Sequence, residues 1–227
     1  MNARPASRRG EQTRPDEAIL RRLQQLISAG EGQQLEFKAK ANHPDKIARS
    51  ICALANSSGG TLLLGVDDNG KLAGIRYPDE DLHAINRFLR GARPSVKCRQ
   101  TIVSLTEKKW VVVFEVRESR KKPVRLRADK DQVFYRHQDQ CLQAGPVMTK
   151  VMERRSSPYG EVITFGDQEK SILQVLGDGA VRTLDSIARA TGLEDRVLIP
   201  RLVSMVASGI LRIIPGTGPE SFRMNMP

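Results

Sequence analysis

Between residues 15 and 148 the apolar residues change period again and again, and this succession limits the possible folds more than any other feature. "RPDEAILRRLQQLISAG" sets Ile19, Leu20, Leu23, Leu26 and Ile27 at helical spacing and stops at Gly30. "QQLEFKA" then alternates, with Leu35, Phe37 and Ala39 on one side and Gln34, Glu36, Lys38 and Lys40 on the other, as in a half-buried strand. "PDKIARSICALANSSGG" returns to the helical period, opened by Pro44 and closed by a Ser-Ser-Gly-Gly turn. "TLLLGV" reads as a buried strand and "DDNG" as a tight turn. "DEDLHAINRFLRGA" predicts another helix, and "VKCRQTIVSLTEKKWVVVFEV" a hairpin around Glu107-Lys108-Lys109. "QVFYRHQDQC" predicts one further strand. Alternating helices and strands, one pair of them an antiparallel hairpin, predict an α+β domain over residues 15–150.

The rest of the chain divides around it. Residues 1–14 are polar and Arg-rich and read as a disordered arm. "MERRSSPYGEV" changes the composition, so residues 151–164 are expected to be a linker. Over residues 165–227, three helical patterns precede "ILRIIPGTGPESFRMN", a small hairpin, which is the succession of a winged helix. Thr183 is placed to cap the second of those helices.

Charge is unevenly distributed. Lys and Arg total 37 against 26 Asp and Glu, a net charge of +11. Residues 31–156 hold 24 basic against 15 acidic side chains, or +9, whereas residues 157–227 hold 7 against 8, or −1. A basic middle domain predicts a polyanionic partner, nucleic acid above all. No apolar run approaches the roughly 18 residues of a membrane helix, so no membrane partner is expected. Three separated cysteines, Cys52, Cys98 and Cys141, fit neither a disulfide framework nor a zinc site and point to a cytoplasmic setting. "SSGGTLLLG" and "PGTGPES" lack the lysine of a phosphate loop, so no nucleotide cofactor is expected.

Four carboxylates invite a chemical reading: Glu31, Glu36, Asp67 and Asp68. Glu31 must sit in the turn before the strand to approach Glu36, and of the adjacent aspartates one at most would join them. Three carboxylates at the ends of two strands would bind Mg²⁺ or Mn²⁺ through hard oxygen ligands and activate water against a phosphodiester. Spacing equally allows Glu36 to pair with Lys38 or Lys40 and "DDNG" to be turn chemistry alone.

"EGQQLEFKAK…KIARSICALANSSGGTLLLGVDDNGKLAGI", with the later "KKPVRL…VFYRHQDQCLQAG", resembles the Schlafen AlbA-2 domain over about residues 30–145. Gln138-Asp139 stand where that family usually has small residues. The resemblance implies a mixed sheet with flanking helices, and nucleic-acid binding. Members with nuclease activity cut structured, tRNA-like RNA with two glutamates and an aspartate. Those roles would fall here on Glu31, Glu36 and one of Asp67 and Asp68, with Mg²⁺ or Mn²⁺ held by Glu31, Glu36 and Asp68. Lys38 would be the basic neighbour that contacts phosphate or steadies Glu36.

For phosphate contact the sequence offers Lys38, Lys40 and the loop "RESRKKPVRLRADK" through Arg120, Lys121, Lys122, Arg125 and Arg127, with Tyr135 and Arg136 on the next strand to stack or pair. The third C-terminal helix, "EDRVLIPRLVSMVASG", has only Arg196 and Arg201 as basic residues, so protein contact or a homodimer through this domain is expected above DNA reading. Two functions remain open: a metal-dependent endoribonuclease, or a non-catalytic DNA-binding regulator.

Overall fold

The computed structural model describes residues 17–155 and 164–225. The expected arm over 1–14 lies outside the described residues, as does most of the expected linker. In chain order the first elements are α1 (Glu17–Ala29), β1 (Leu35–Lys38), α2 (Pro44–Asn56), β2 (Gly60–Leu64), α3 (Pro78–Leu89), β3 (Ala92–Arg93), β4 (Cys98–Thr106) and β5 (Lys109–Val116). They are followed by β6 (Arg125–Leu126), β7 (Phe134–His137), β8 (Gln140–Gln143) and α4 (Pro146–Arg155).

The central sheet runs β1-β2-β5-β4, with β1 parallel to β2 and every other pair antiparallel, so it is mixed. The period-two pattern read from the sequence decides which side of it each residue faces. Leu35, Phe37, Leu63, Val103 and Val111 bury against Leu23 of α1. Leu62, Leu64, Val112 and Phe114 bury on the opposite side with Ile47, Ile51 and Leu54 of α2. Glu36 lies level with Leu62 in the β1–β2 register, so it must point to the α2 side, into the larger core.

Gly59 and Gly60 are where the glycines of the Ser-Ser-Gly-Gly turn matter. Gly60 has φ +145° and its Hα side lies against the Gln34 carbonyl; a Cβ on Gly59 (φ +69°) would sit 2.7 Å from the Val116 carbonyl. The turn thus brings α2 back between two backbones with no room for a side chain.

Asn56, the last residue of α2, is buried and its side chain is fully bonded. Its Nδ2 donates to the Val124 and Phe134 carbonyls, both at 2.9 Å, and its Oδ1 accepts from Val124 N at 2.6 Å. One amide therefore fastens the β6 and β7 segments to the central layer. The single strand expected over "QVFYRHQDQC" is instead a hairpin, β7 pairing with β8 across Gln138-Asp139, and Gln138 takes the left-handed φ of +54°. Residues 151–155, expected to open a linker, complete α4; its Val147 and Val151 are buried among C-terminal apolar side chains.

The C-terminal part continues with α5 (Asp167–Leu176), β9 (Arg182–Thr183), α6 (Leu184–Thr191), α7 (Asp195–Ala207), β10 (Leu211–Ile214) and β11 (Ser221–Met224). Its sheet runs β10-β11-β9. Thr183 caps α6 as expected, its hydroxyl accepting from Ser186 N at 3.2 Å. Glu220 joins this part to the first: its two carboxylate oxygens accept from Val147 N (2.9 Å) and Met148 N (2.7 Å) at the start of α4. A Cβ on Gly145 would stand 2.5 Å from that carboxyl carbon, so a side chain there would push the carboxylate off its two amides. Burial raises the Glu220 carboxyl above the usual glutamate range, partly offset by these two amide donors.

Candidate nucleic-acid interface

The carboxylates of the Glu-x4-Glu motif end in different places. Glu36 is 5% exposed and forms ion pairs with Arg136, whose side chain is fully buried, and with Lys38. Arg136 further donates through Nη2 to the Gly32 carbonyl at 2.7 Å and the Leu35 carbonyl at 3.2 Å. Ser50 of α2 reaches Glu36 at 3.5 Å. The pair ties β1 to β7, 100 residues apart in sequence. Glu31 is exposed and follows the outer edge of β1, where one oxygen accepts from Phe37 N at 2.7 Å. It satisfies a donor on an edge strand that would otherwise be open.

Asp67 makes turn chemistry: its Oδ1 accepts from Asn69 N (3.0 Å) and Lys71 N (2.8 Å). Asp68 is exposed. Among the described residues no three His, Cys, Asp or Glu side chains gather to hold a metal ion. The Mg²⁺ or Mn²⁺ implied by the resemblance therefore does not fit this donor set. The charge of Glu36 is matched by two cations, and one oxygen each of Glu31 and Asp67 is taken by backbone amides. Hard cations need several free oxygens on one centre.

The residues expected to contact phosphate also separate. Arg136, expected to meet nucleic acid, is interior, because its guanidinium supplies the counter-charge that Glu36 needs once buried. Tyr135 is 8% exposed and packs with Val133, Leu142 and Met152, so it offers no stacking face. Arg125 pairs with Glu153 at 2.7 Å, and Lys122 pairs with Glu118 at 2.6 Å while donating to the Ser57 carbonyl at 2.7 Å. Lys38 is held by Glu36. Lys40 and Arg127 are exposed, without an ion pair among the described residues, and neither lines the groove beside the Arg117–Lys121 loop.

Arg120 and Lys121 are the two that remain at a defined site. They border that groove, which measures about 530 Å³ and whose other walls include Pro94, Ser95, Lys97 and Arg117. Lys97, Arg117, Arg120 and Lys121 are all exposed, and none forms an ion pair with a described residue. The one acidic side chain there, Glu118, is engaged by Lys122. The backbone beneath is fixed: Arg117 N donates to the Lys97 carbonyl (2.9 Å), Ser119 N to the Ala55 carbonyl (2.8 Å), and Ser119 Oγ to the Lys121 carbonyl (2.6 Å). Three cations on a pinned loop, with Lys97 beside it, can meet phosphates without first ordering the chain.

Lys97 and Arg117 were not among the candidates read from the sequence, yet a signal existed. A hairpin turning at Glu107-Lys108 must bring residues about ten before and ten after it side by side, and those are Lys97 and Arg117. The cysteines are plainly structural. Burial pushes the Cys98 thiol up to about 12 and the Cys141 thiol up to about 11, with Glu115 and Glu36 respectively adding to the effect. Neither is a thiolate near neutral pH.

These features define a basic α+β domain with a cation-lined groove, carrying a small helical and hairpin unit behind it. The chain belongs to the Schlafen, AlbA_2 family, whose model matches residues 31–145, and the family is one of nucleic-acid-binding domains. The chain is also similar to the crystal structure of the DIP2311 protein from Corynebacterium diphtheriae, at 16% identity and a TM-score of 0.43. That similarity covers 70% of this chain and 33% of the other, so this chain spans about a third of that structure's length.

Proposed function

We propose that this chain is a non-catalytic protein that binds duplex nucleic acid through the groove of Lys97, Arg117, Arg120 and Lys121. The observation that carries the reading is that these four exposed cations have no carboxylate partner among the described residues, whereas Glu36 is charge-balanced in the interior. An unanswered cluster of positive charge is what counterion release from a phosphate backbone requires. Single strands are a poorer fit, because a stacking platform is needed and Tyr135 is buried.

The C-terminal unit has the element order expected of a winged helix, and its third helix supports a protein-contacting role rather than base reading. Arg196 pairs with Glu194 (2.6 Å) and Arg201 with Glu169 (3.2 Å), while Ser204 on the same helix accepts from Arg154 of α4 at 2.6 Å. A reading helix needs those side chains free for base edges.

The test is fluorescence anisotropy of the full chain with labelled duplex DNA and with tRNA across a salt series. Removing Arg120 and Lys121 together should weaken binding to all sequences alike. It should also flatten the slope of log affinity against log salt by about 0.9 for each phosphate that is no longer neutralised. An unchanged slope would remove the groove from the interface. The same samples run with Mn²⁺, Mg²⁺ or EDTA test cleavage, beside Glu31→Gln, which leaves the buried pair intact. Metal-dependent fragments that disappear in Glu31→Gln would replace this reading with the endoribonuclease.

A further inference from the structure

The second edge of the central sheet is β4, nine residues long, and no described strand pairs with its outer side. The β1 edge is short and has its Phe37 donor capped by Glu31, but among the described residues β4 has no such device along Cys98–Ser104. Its one irregularity is a bulge between Ser104 and Thr106, past that stretch. Ile102 lies at the middle of the exposed rim and is 40% exposed, on the side of the sheet that otherwise buries the main core.

Backbone geometry shows which groups are open. Arg117 N donates to the Lys97 carbonyl, so residues 97, 99, 101 and 103 turn their backbone groups toward β5. The N–H and C=O groups of Cys98, Gln100, Ile102 and Ser104 therefore point outward. A regular edge of this length that no described strand covers is a template for another strand.

We infer that this edge pairs with a second copy of this chain, β4 antiparallel to β4, with Ile102 on the two-fold axis. In that register Ile102 faces Ile102 of the second copy, and Gln100 faces Ser104 twice, giving roughly six interchain hydrogen bonds through the outward groups. Charge complementarity selects the register. Allowing for the bulge, Lys97 of each copy comes within about one residue step of Glu107 on the other, at both ends of the ribbon. Centring on Thr101 instead would bring Lys97 opposite the apolar Leu105 and leave Ile102 without its own counterpart.

The pairing has a consequence for the groove, which rests on the function proposed above. In the dimer Lys97 is answered by Glu107 of the second copy, which leaves Arg117, Arg120 and Lys121 to meet phosphate. Arg117 lies beside Lys97, itself five residues before Ile102, so the two groove ends lie ten strand steps apart, about 34 Å at roughly 3.4 Å per residue. That distance is one turn of B-form DNA, about 34–36 Å. Since the two-fold stands normal to the sheet, the dimer presents both grooves from equivalent ends, spaced for successive turns along one duplex.

Sedimentation of the full chain tests the interface alone. Wild type should be a dimer at micromolar concentration, and Ile102→Glu, which sets like charges on the axis at an already exposed position, should be a monomer with an unchanged circular dichroism spectrum. Lys97→Glu and Glu107→Lys should each weaken the dimer, and the double exchange should restore it. A monomeric wild type, or a dimer indifferent to these changes, would overturn the proposal. Binding of duplexes of about 24 and about 8 base pairs tests the spacing. The longer duplex should prefer wild type over Ile102→Glu by about tenfold or more, and the shorter one should not distinguish them. Equal affinity for the longer duplex would remove the spacing argument. A dimer that binds no duplex at all would leave the interface standing and refute the nucleic-acid reading instead.

Discussion

Two charged regions of this molecule stand in contrast. Around Glu36, a buried carboxylate meets the buried Arg136 guanidinium, which also reaches two backbone carbonyls, with the part-exposed Lys38 at the rim. Around Lys97 and the Arg117–Lys121 loop, four cations share an exposed groove with a single carboxylate that is already paired. The first region contains the residues that stand out most as a motif, and the second contains residues that look like ordinary surface charge. Their surroundings reverse that impression. A matched charge in the interior holds the fold, and an unmatched charge on a fixed surface is available to a ligand.

The largest effect expected is from Glu36→Ala. It would leave the Arg136 guanidinium, fully buried, without its counter-charge, at a cost of about 3–5 kcal/mol in urea unfolding. The double change Glu36→Gln with Arg136→Met should regain most of that stability. If Glu36→Ala unfolds like wild type, the interior charges are not structural and the contrast fails. For this reason an inactive Glu36 variant would not by itself identify a catalytic group.

Asn56→Ala comes next. It orphans Val124 N and two carbonyls in the interior and should cost about 2–3 kcal/mol. Hydrogen exchange should locate the loosening in β6 and β7.

Glu220 gives a smaller effect that depends on pH. Its carboxyl is raised in the folded state above the ordinary 4.5, so the folded chain holds that proton more tightly than the unfolded chain does. The contribution is fully present below about 4.5 and is lost as pH rises through the raised value. Stability attributable to this group therefore falls with increasing pH, and Glu220→Gln, which does not titrate, should remove that part of the slope in thermal unfolding as pH rises above about 4.5.

The smallest effect on stability belongs to the groove. Arg120→Ala with Lys121→Ala should stay within about 0.5 kcal/mol of wild type while binding collapses, which is the sharpest form of the contrast. A marked destabilisation would place these two among the structural charges.

What the sequence determined by itself was everything carried by local periodicity and chain stereochemistry. The helices of α1, α2 and α3, the strands β1 and β2, the β4–β5 hairpin, the Thr183 cap and the "DDNG" turn are all set by side chains within a few residues of one another. The excess of positive charge in the middle of the chain was likewise countable. The β7–β8 turn escaped because Gln138 adopts a positive φ usually left to glycine, and α4 because its apolar face is completed only by α7. Tertiary structure decided which distant charges meet. Glu36 and Arg136 are 100 residues apart and Arg125 and Glu153 are 28 apart, and neither spacing encodes the contact. Electrostatic pairing acts over a few ångströms of space, so the choice between a metal ligand, a buried ion pair and a free phosphate contact belongs to the packing of layers and not to the order of residues.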